Sequence, residues 1–166
     1  MTTSPPSSSG PAAVAEARGR RAILAAGATL VGFGVALGAF GAHGLKQVLD
    51  AERLGWWQTG VQYQVWHGLA LVALSAAPLE RLKLPAWLLG AGAVVFSFSL
   101  YLMALTGWRW LGAVTPFGGL AMILGWAVLA WHALRSRAEP RSFVRARSAG
   151  VRTRQDHERI ESERPR

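Results

Sequence analysis

Long apolar stretches separated by short polar segments dominate the first 135 residues of the chain. Residues 22–42 hold no charged side chain, and three further apolar stretches cover about 61–78, 86–106 and 117–134. A helix needs roughly 20 apolar residues to cross a hydrocarbon layer of about 30 Å. The pattern therefore predicts an all-α integral membrane protein, whose four transmembrane helices pack as an antiparallel bundle within residues 20–135.

The two ends of the chain differ in composition from this apolar domain. Residues 1–19 are rich in Ser, Pro, Ala and Gly, and residues 136–166 are rich in arginine. Neither composition can bury a core, so we expect both tails to be disordered. Arginines just inside a last span attract anionic lipid, which is the partner that we expect for the C-terminal tail. Nucleic acid is not expected as a partner, because Phe143 is the only aromatic residue in that tail.

Residues 45–57 connect the first two predicted spans, and two interpretations are open. One helical face of this segment is apolar, as in a short helix that lies in the interface: Leu45, Val48, Leu49 and Trp56. The alternative is that the second span begins near Glu52, because only Gly55 and Gly60 interrupt that stretch.

Composition supports a membrane protein and excludes several kinds of site. Hydrophobic residues make up 51% of the chain and charged residues 16%, whereas a soluble domain has about 25% charged residues. The chain has no cysteine, which excludes disulfides, cysteine nucleophiles, iron–sulfur clusters and thiolate zinc sites. We predict no cofactor and no metal site.

Basic residues are distributed asymmetrically about the predicted spans. Three lie on the side that holds the first loop, namely Lys46, Arg53 and Arg109, and ten lie near the spans on the side of the N-terminus. Since cytoplasmic loops carry an excess of Lys and Arg, we predict a multi-pass membrane protein with both termini cytoplasmic. A twin-arginine export signal at residues 20–21 is a weaker interpretation, because export signals have 7–15 apolar residues and this stretch has 21.

Six polar side chains in or beside the spans are candidates for a functional site: His43, Tyr63, Gln64, His67, Tyr101 and Thr115. An antiparallel bundle is expected to gather them near the outer leaflet. His43 and His67 both occur as His-Gly-Leu, and we expect the first hairpin to bring their rings to one level. Hydrogen bonding between helices is the favoured interpretation, and a ligand or proton site is the alternative. Two histidines are too few for zinc, which takes three or four protein ligands.

Glycines recur along the first span. Gly27, Gly34 and Gly41 are spaced by seven residues, and Gly38 forms a small-xxx-small step with Gly34. Such a stripe lets two helix backbones approach closely. Packing against neighbouring helices of the same chain is the favoured interpretation, and a seam between two copies is the alternative.

Four segments together resemble one bacterial family: residues 38–46 (GAFGAHGLK), 62–64 with 67–71 (QYQ, HGLAL), 96–101 with 104–107 (FSFSLY, ALTG), and 112–120 with 125–126 (GAVTPFGGL, GW). In this order and spacing they resemble the small membrane proteins catalogued as domain of unknown function 423, which are related to the animal transmembrane protein 256. The resemblance implies four helices in a bacterial inner membrane. It implies no activity, because none is assigned to the family.

No arrangement of nucleophile, base and acid is recognisable in the sequence. We therefore predict a non-enzymatic inner-membrane protein, a packing or assembly component whose partners are the bilayer and a second copy or another membrane protein. The alternative is a small channel or transporter that uses the polar cluster. A continuous path of polar groups would favour transport, whereas a closed and fully bonded network would favour packing.

Overall fold

The structure is a computed structural model, and it describes residues 10–77 and 82–135. All regular secondary structure in these residues is helical, which confirms the predicted all-α class. The four helices are α1 (Pro11–His43), α2 (Ala51–Leu74), α3 (Lys83–Thr106) and α4 (Thr115–Arg135). Two 3-10 turns, Leu45–Gln47 and Arg109–Ala113, precede α2 and α4. The chain divides into two units after Ala133, and the packing described below belongs to the first.

Helix α1 begins 11 residues earlier than the apolar stretch that predicted it, at Pro11. Proline is well tolerated at the first helical position, and the alanines that follow have the highest helix propensity. The prediction of disorder is therefore wrong for residues 11–19, which are helical although they bury little. Residues 1–9 and 136–166 lie outside the described residues.

Helix α2 also begins early, at Ala51. The carboxylate of Asp50 accepts a hydrogen bond from the backbone N–H of Arg53 at 2.8 Å, which is a typical N-cap. Of the two interpretations of residues 45–57, the early start of the second helix is therefore correct from Ala51 onward. An interfacial helix is not formed, because only the turn Leu45–Gln47 precedes the cap.

Helices α3 and α4 begin and end within a few residues of the predicted stretches. Pro85 lies in the first turn of α3, and Pro116 is the second residue of α4. Gly107 ends α3 in the left-handed conformation, with φ of 77°. Glycine adopts this conformation without Cβ strain, so the chain turns sharply there towards α4.

Three of the described helices are long and apolar enough to cross a membrane, judged by length and composition alone. They are α1 with the turn that follows it, α3, and α4 with the turn that precedes it. Helix α2 has 24 residues and a length of about 36 Å, but it does not meet the criterion of composition. Its sequence is more polar because it includes Glu52, Arg53 and three glutamines.

Consecutive helices run antiparallel and approach closely at glycines. A Cβ atom added to Gly27 would lie 2.7 Å from the carbonyl oxygen of Gly68, so α1 and α2 nearly touch by their backbones. A Cβ atom added to Gly118 of α4 would lie 2.5 Å from the backbone nitrogen of Phe96 in α3. The bundle therefore has two tight hairpins, α1–α2 and α3–α4, with α2 packed against α3.

The glycine stripe of α1 faces α2. Gly27, Gly34 and Gly41 are the buried residues of α1. A Cβ atom at Gly34 would lie 2.5 Å from Val65, and one at Gly41 would lie 2.7 Å from the Trp57 ring. The stripe is thus covered within the chain, and Gly38, at 3.3 Å from Val61, belongs to the same contact.

Two ends of the bundle are distinguished below. The hairpin end contains residues 44–50, which join α1 to α2, and residues 107–114, which join α3 to α4. The N-terminal end contains the beginning of α1 and of α3 and the end of α2.

Candidate functional site

Gln64 joins three helices near the centre of the bundle. It lies on α2 and is only 6% exposed. Its Nε2 donates a hydrogen bond to the carbonyl of Leu30 in α1 at 2.9 Å, and its Oε1 accepts one from the hydroxyl of Tyr101 in α3 at 3.0 Å. Tyr101 reaches this level because side chains on a helix lean towards its N-terminus.

Ser97 makes a second hydrogen bond between α2 and α3. Its hydroxyl donates to the carbonyl of Gly60 at 2.8 Å and is fully buried. Gly60 is essential for this approach, since a Cβ atom there would lie 2.8 Å from the ring of Tyr101. Ser97 is a site residue that the sequence analysis missed, because a serine in an apolar helix bonds its own helix as readily as a neighbouring one.

His67 links α2 to α4, and both of its ring nitrogens are bonded. Nδ1 lies 2.8 Å from the carbonyl oxygen of Tyr63, and Nε2 lies 3.3 Å from the indole Nε1 of Trp126. A carbonyl only accepts and an indole N–H only donates, so Nδ1 carries the proton and Nε2 accepts. The ring also stacks on Tyr63 at a centroid distance of 6.0 Å.

Trp126 was absent from the predicted cluster although its position carries a signal. Tryptophans of membrane proteins concentrate at the two interfaces. Trp126 instead lies in the middle of the fourth apolar stretch, where an indole N–H needs a partner inside the protein. His67 is that partner.

The expected meeting of His43 and His67 is wrong. Because α1 and α2 are antiparallel, the residue numbers of any two facing residues have a sum of about 98, as for Gly41 and Trp57. The residue facing His67 is therefore close to Val31, and His43 lies 12 residues further along α1, about 18 Å away. His43 is exposed at the hairpin end. The reason is the early start of α2, which displaces His67 along the helix, away from the hairpin end.

The six predicted residues consequently do not form one cluster. Gln64 pairs with Tyr101, His67 contacts Tyr63, and the hydroxyl of Thr115 lies 2.8 Å from that of Ser99. Gln64 and His67 face the middle of the apolar stretch 22–42, so the expectation that the polar groups gather near the outer leaflet is also wrong for these two.

Two arginines bind the carboxyl ends of neighbouring helices, at opposite ends of the bundle. Arg20 of α1 donates to the carbonyls of Ser75 and Ala76 at 2.9 and 3.1 Å, just after α2. Arg53 of α2 donates to the carbonyl of Leu105 at 2.8 Å, in the last turn of α3. A cation at this position satisfies terminal carbonyls and interacts favourably with the helix dipole.

The arrangement can hold helices together, and it offers little for chemistry. Among residues 10–77 and 82–135, no group of three or more His, Cys, Asp or Glu side chains could hold a metal ion. Two cavities at the N-terminal end, of about 800 and 360 Å³, have none of Gln64, His67 and Tyr101 in their walls.

Apolar antiparallel helices joined by hydrogen bonds at membrane depth define a helical integral membrane protein. The family follows from comparison with known sequences. The chain belongs to the family described as "Protein of unknown function (DUF423)", which matches residues 37–119. This match includes Gln64, His67 and Tyr101 but neither Arg20 nor Trp126.

Several relatives carry membrane-protein names. A UPF0382 membrane protein of Staphylococcus saprophyticus is 46% identical over 98 residues, which cover 57% of this chain and 82% of the relative. The UPF0382 inner membrane protein YgdD of Escherichia coli is 43% identical over 107 residues, covering 61% and 80%. A UPF0382 membrane protein of Haemophilus influenzae is 39% identical over 111 residues, covering 64% and 88%. No solved structure matches the chain.

Proposed function

We propose that this chain is a non-enzymatic packing or assembly component of the bacterial inner membrane. The observation that carries the proposal is that Gln64 and His67 each have both polar ends bonded within the protein. Hydrogen bonds of this kind between membrane helices contribute about 0.6–2 kcal/mol each. The buried polar groups are thus accounted for by the packing of α1, α2, α3 and α4.

Transport is less well supported than packing. A channel or transporter needs polar groups along a hydrated path, from which an ion or substrate can accept hydrogen bonds. The side chains of Gln64 and His67 are instead buried, and each is directed at a different neighbouring helix. The cavity of about 800 Å³ at the N-terminal end has apolar walls, and neither Gln64 nor His67 lines it.

We further propose that α2 crosses the membrane, so that both termini are cytoplasmic. Helix α2 packs along its length between α1 and α3, which are both apolar enough to span. A helix packed between two membrane-spanning helices lies at the same depth in the bilayer as they do. Its most polar central side chains, Gln64 and His67, are turned away from lipid, which removes the main obstacle to its insertion.

Substitution of His67 tests the packing role. Gln at position 67 retains a donor and an acceptor, so we expect it to preserve most of the thermal stability in detergent. Ala should lower the free energy of unfolding by about 1 kcal/mol, because Trp126 loses its acceptor. The exposed His43→Gln variant is the matched control and should equal the parent.

Function is measured on the same variants by proton flux into proteoliposomes and by rescue of a deletion strain. The packing proposal expects no flux above that of empty liposomes, and expects rescue to decline only where stability declines. A stable His67→Gln protein that has lost flux or fails to rescue would overturn the proposal and establish a proton or ligand site.

A further inference from the structure

An apolar groove lies between α1 and α3 at the N-terminal end, with a volume of about 800 Å³. Its walls include Ile23, Ala26 and Leu30 of α1 and Ala86 and Gly90 of α3, and Leu71 of α2 forms its floor. The groove exists because α1 and α3 both pack on α2, and the small residues between them leave the space unfilled. Volumes of 300–1,000 Å³ are typical of small-molecule sites.

The length of the groove matches one leaflet of a bilayer. Its walls extend from Gly19 to Leu30 on α1 and from Lys83 to Val94 on α3. Eleven helical steps correspond to about 16 Å. Half of a hydrocarbon layer of about 30 Å is about 15 Å. The groove therefore reaches from the membrane surface to the midplane, as an acyl chain does.

The surface end of the groove is positively charged. Lys83 lines it, and the exposed Arg18 precedes the lining residue Gly19 on α1. Arg20 is already engaged with the carbonyls at the end of α2. In the described part of the chain, Glu16 is the one carboxylate at this end, so the net charge of these residues is positive. An anionic headgroup complements this charge.

We propose that the groove binds one anionic phospholipid, with an acyl chain between α1 and α3 and the phosphate beside Lys83 and Arg18. A second copy of the chain is the competing occupant. Two copies in one membrane have the same orientation, so a symmetric contact through the groove would bring the Lys83 of both copies to one level. Repulsion opposes that contact, whereas an anionic lipid neutralises the charge.

Native mass spectrometry of the full-length protein tests the proposal with phosphatidylglycerol and phosphatidylcholine of identical acyl chains. We expect one retained phosphatidylglycerol per chain, in preference to phosphatidylcholine. Ala26→Phe fills the groove and should reduce retention at least ten-fold. Ala28→Phe is the matched control, because Ala28 is exposed on the same helix and does not line the groove.

The charge is tested separately from the groove. Lys83→Gln should reduce the preference for phosphatidylglycerol about five-fold, the effect of one cation near a membrane surface, while phosphatidylcholine retention stays unchanged. Lys46→Gln at the hairpin end should have no effect. Ala91→Phe, from the opposite wall, should reproduce Ala26→Phe, and far-ultraviolet circular dichroism confirms that each variant is folded.

Three outcomes would overturn the proposal. Equal lipid retention by Ala26→Phe and Ala28→Phe would place the lipid elsewhere. Equal retention of the two lipids, unaffected by Lys83→Gln, would show that the groove has no preference for anionic lipid. A dimer in the parent that Ala26→Phe converts to a monomer would assign the groove to a second copy. The packing proposal survives each of these results, because it rests on Gln64 and His67 rather than on the groove.

Discussion

At the scale of single residues, two polar side chains inside this bundle are stable because they donate to backbone carbonyls that still have a free lone pair. A backbone carbonyl has two lone pairs, and its own helix uses one. The carbonyl of Leu30 therefore accepts the amide of Gln64 without losing its helical hydrogen bond. The carbonyl of Gly60 accepts Ser97 in the same way. Burial of these side chains without partners would be costly, since water is absent.

Substitution of Gln64 by Leu should lower the free energy of unfolding by about 1–2 kcal/mol. The variant removes two hydrogen bonds between helices and leaves the hydroxyl of Tyr101 without its acceptor. Unfolding in mixed micelles, followed by circular dichroism, measures the change.

A double-mutant cycle separates the two bonds of Gln64. Tyr101→Phe combined with Gln64→Leu should destabilise by less than the sum of the single changes, because the stranded hydroxyl is gone. Gln62→Leu on the same helix is the control, since Gln62 is exposed. Equal losses at positions 62 and 64 would contradict the account of the network.

At the scale of helices, the spacing between elements is set by glycines at the crossings. The α3–α4 crossing is the tightest example, because the absent Cβ of Gly118 would meet the backbone of Phe96. Backbone atoms cannot rotate away as a flexible side chain does, so a clash there must separate the helices. The adjacent Gly119 has only ordinary van der Waals neighbours, with the Phe96 ring 3.8 Å away.

Gly118→Ala should destabilise the bundle by about 1–3 kcal/mol, the usual range for overpacking of a close contact. Gly119→Ala should be neutral or stabilising by up to about 1 kcal/mol, because alanine is the better helix former. Gly32→Ala in α1, where nothing lies within 4 Å of the added Cβ, should behave like Gly119→Ala. Melting temperatures in detergent provide the comparison, and a stable Gly118→Ala protein would refute the close approach of α3 and α4.

At the scale of the whole molecule, the alternating direction of the helices and the placement of the basic residues both bear on the membrane topology. The loops at the hairpin end are short and carry few basic residues, whereas the N-terminal end carries Arg18, Arg20, Arg21 and Lys83. Basic loops resist transfer across the membrane. The antiparallel packing of α2 on α1 agrees with the proposal that α2 returns to the side on which α1 began.

Single cysteines test this topology cleanly, because the chain has none of its own. Gln47→Cys and Ala113→Cys at the hairpin end should react with an impermeant thiol reagent in intact spheroplasts. Ala76→Cys, just after α2, should react only after lysis. Labelling of positions 47 and 76 from the same side would show that α2 does not cross the membrane, and the reverse pattern would invert the orientation.

Much of the candidate site was predictable as a set of residues but not as a set of contacts. Gln64, His67 and Tyr101 stand out as polar residues in apolar surroundings, and all three are buried. Their partners depend on helix register. The Asp50 cap starts α2 ten residues before its apolar stretch. Each α2 residue therefore lies about 15 Å further from the hairpin end than the apolar stretch alone predicts. His43 was paired with His67 for this reason.

The sequence by itself determined the four helices, the class of membrane protein and the family. An uncharged stretch of about 20 residues satisfies its backbone in lipid only as a helix, so composition suffices for that inference. Only the tertiary structure decided that His67 meets Trp126, that Gln64 meets Tyr101, and that α1 and α3 leave a groove between them. These contacts depend on where each helix begins and how it is rotated, and both are set by caps and close glycine crossings that join residues far apart in the chain.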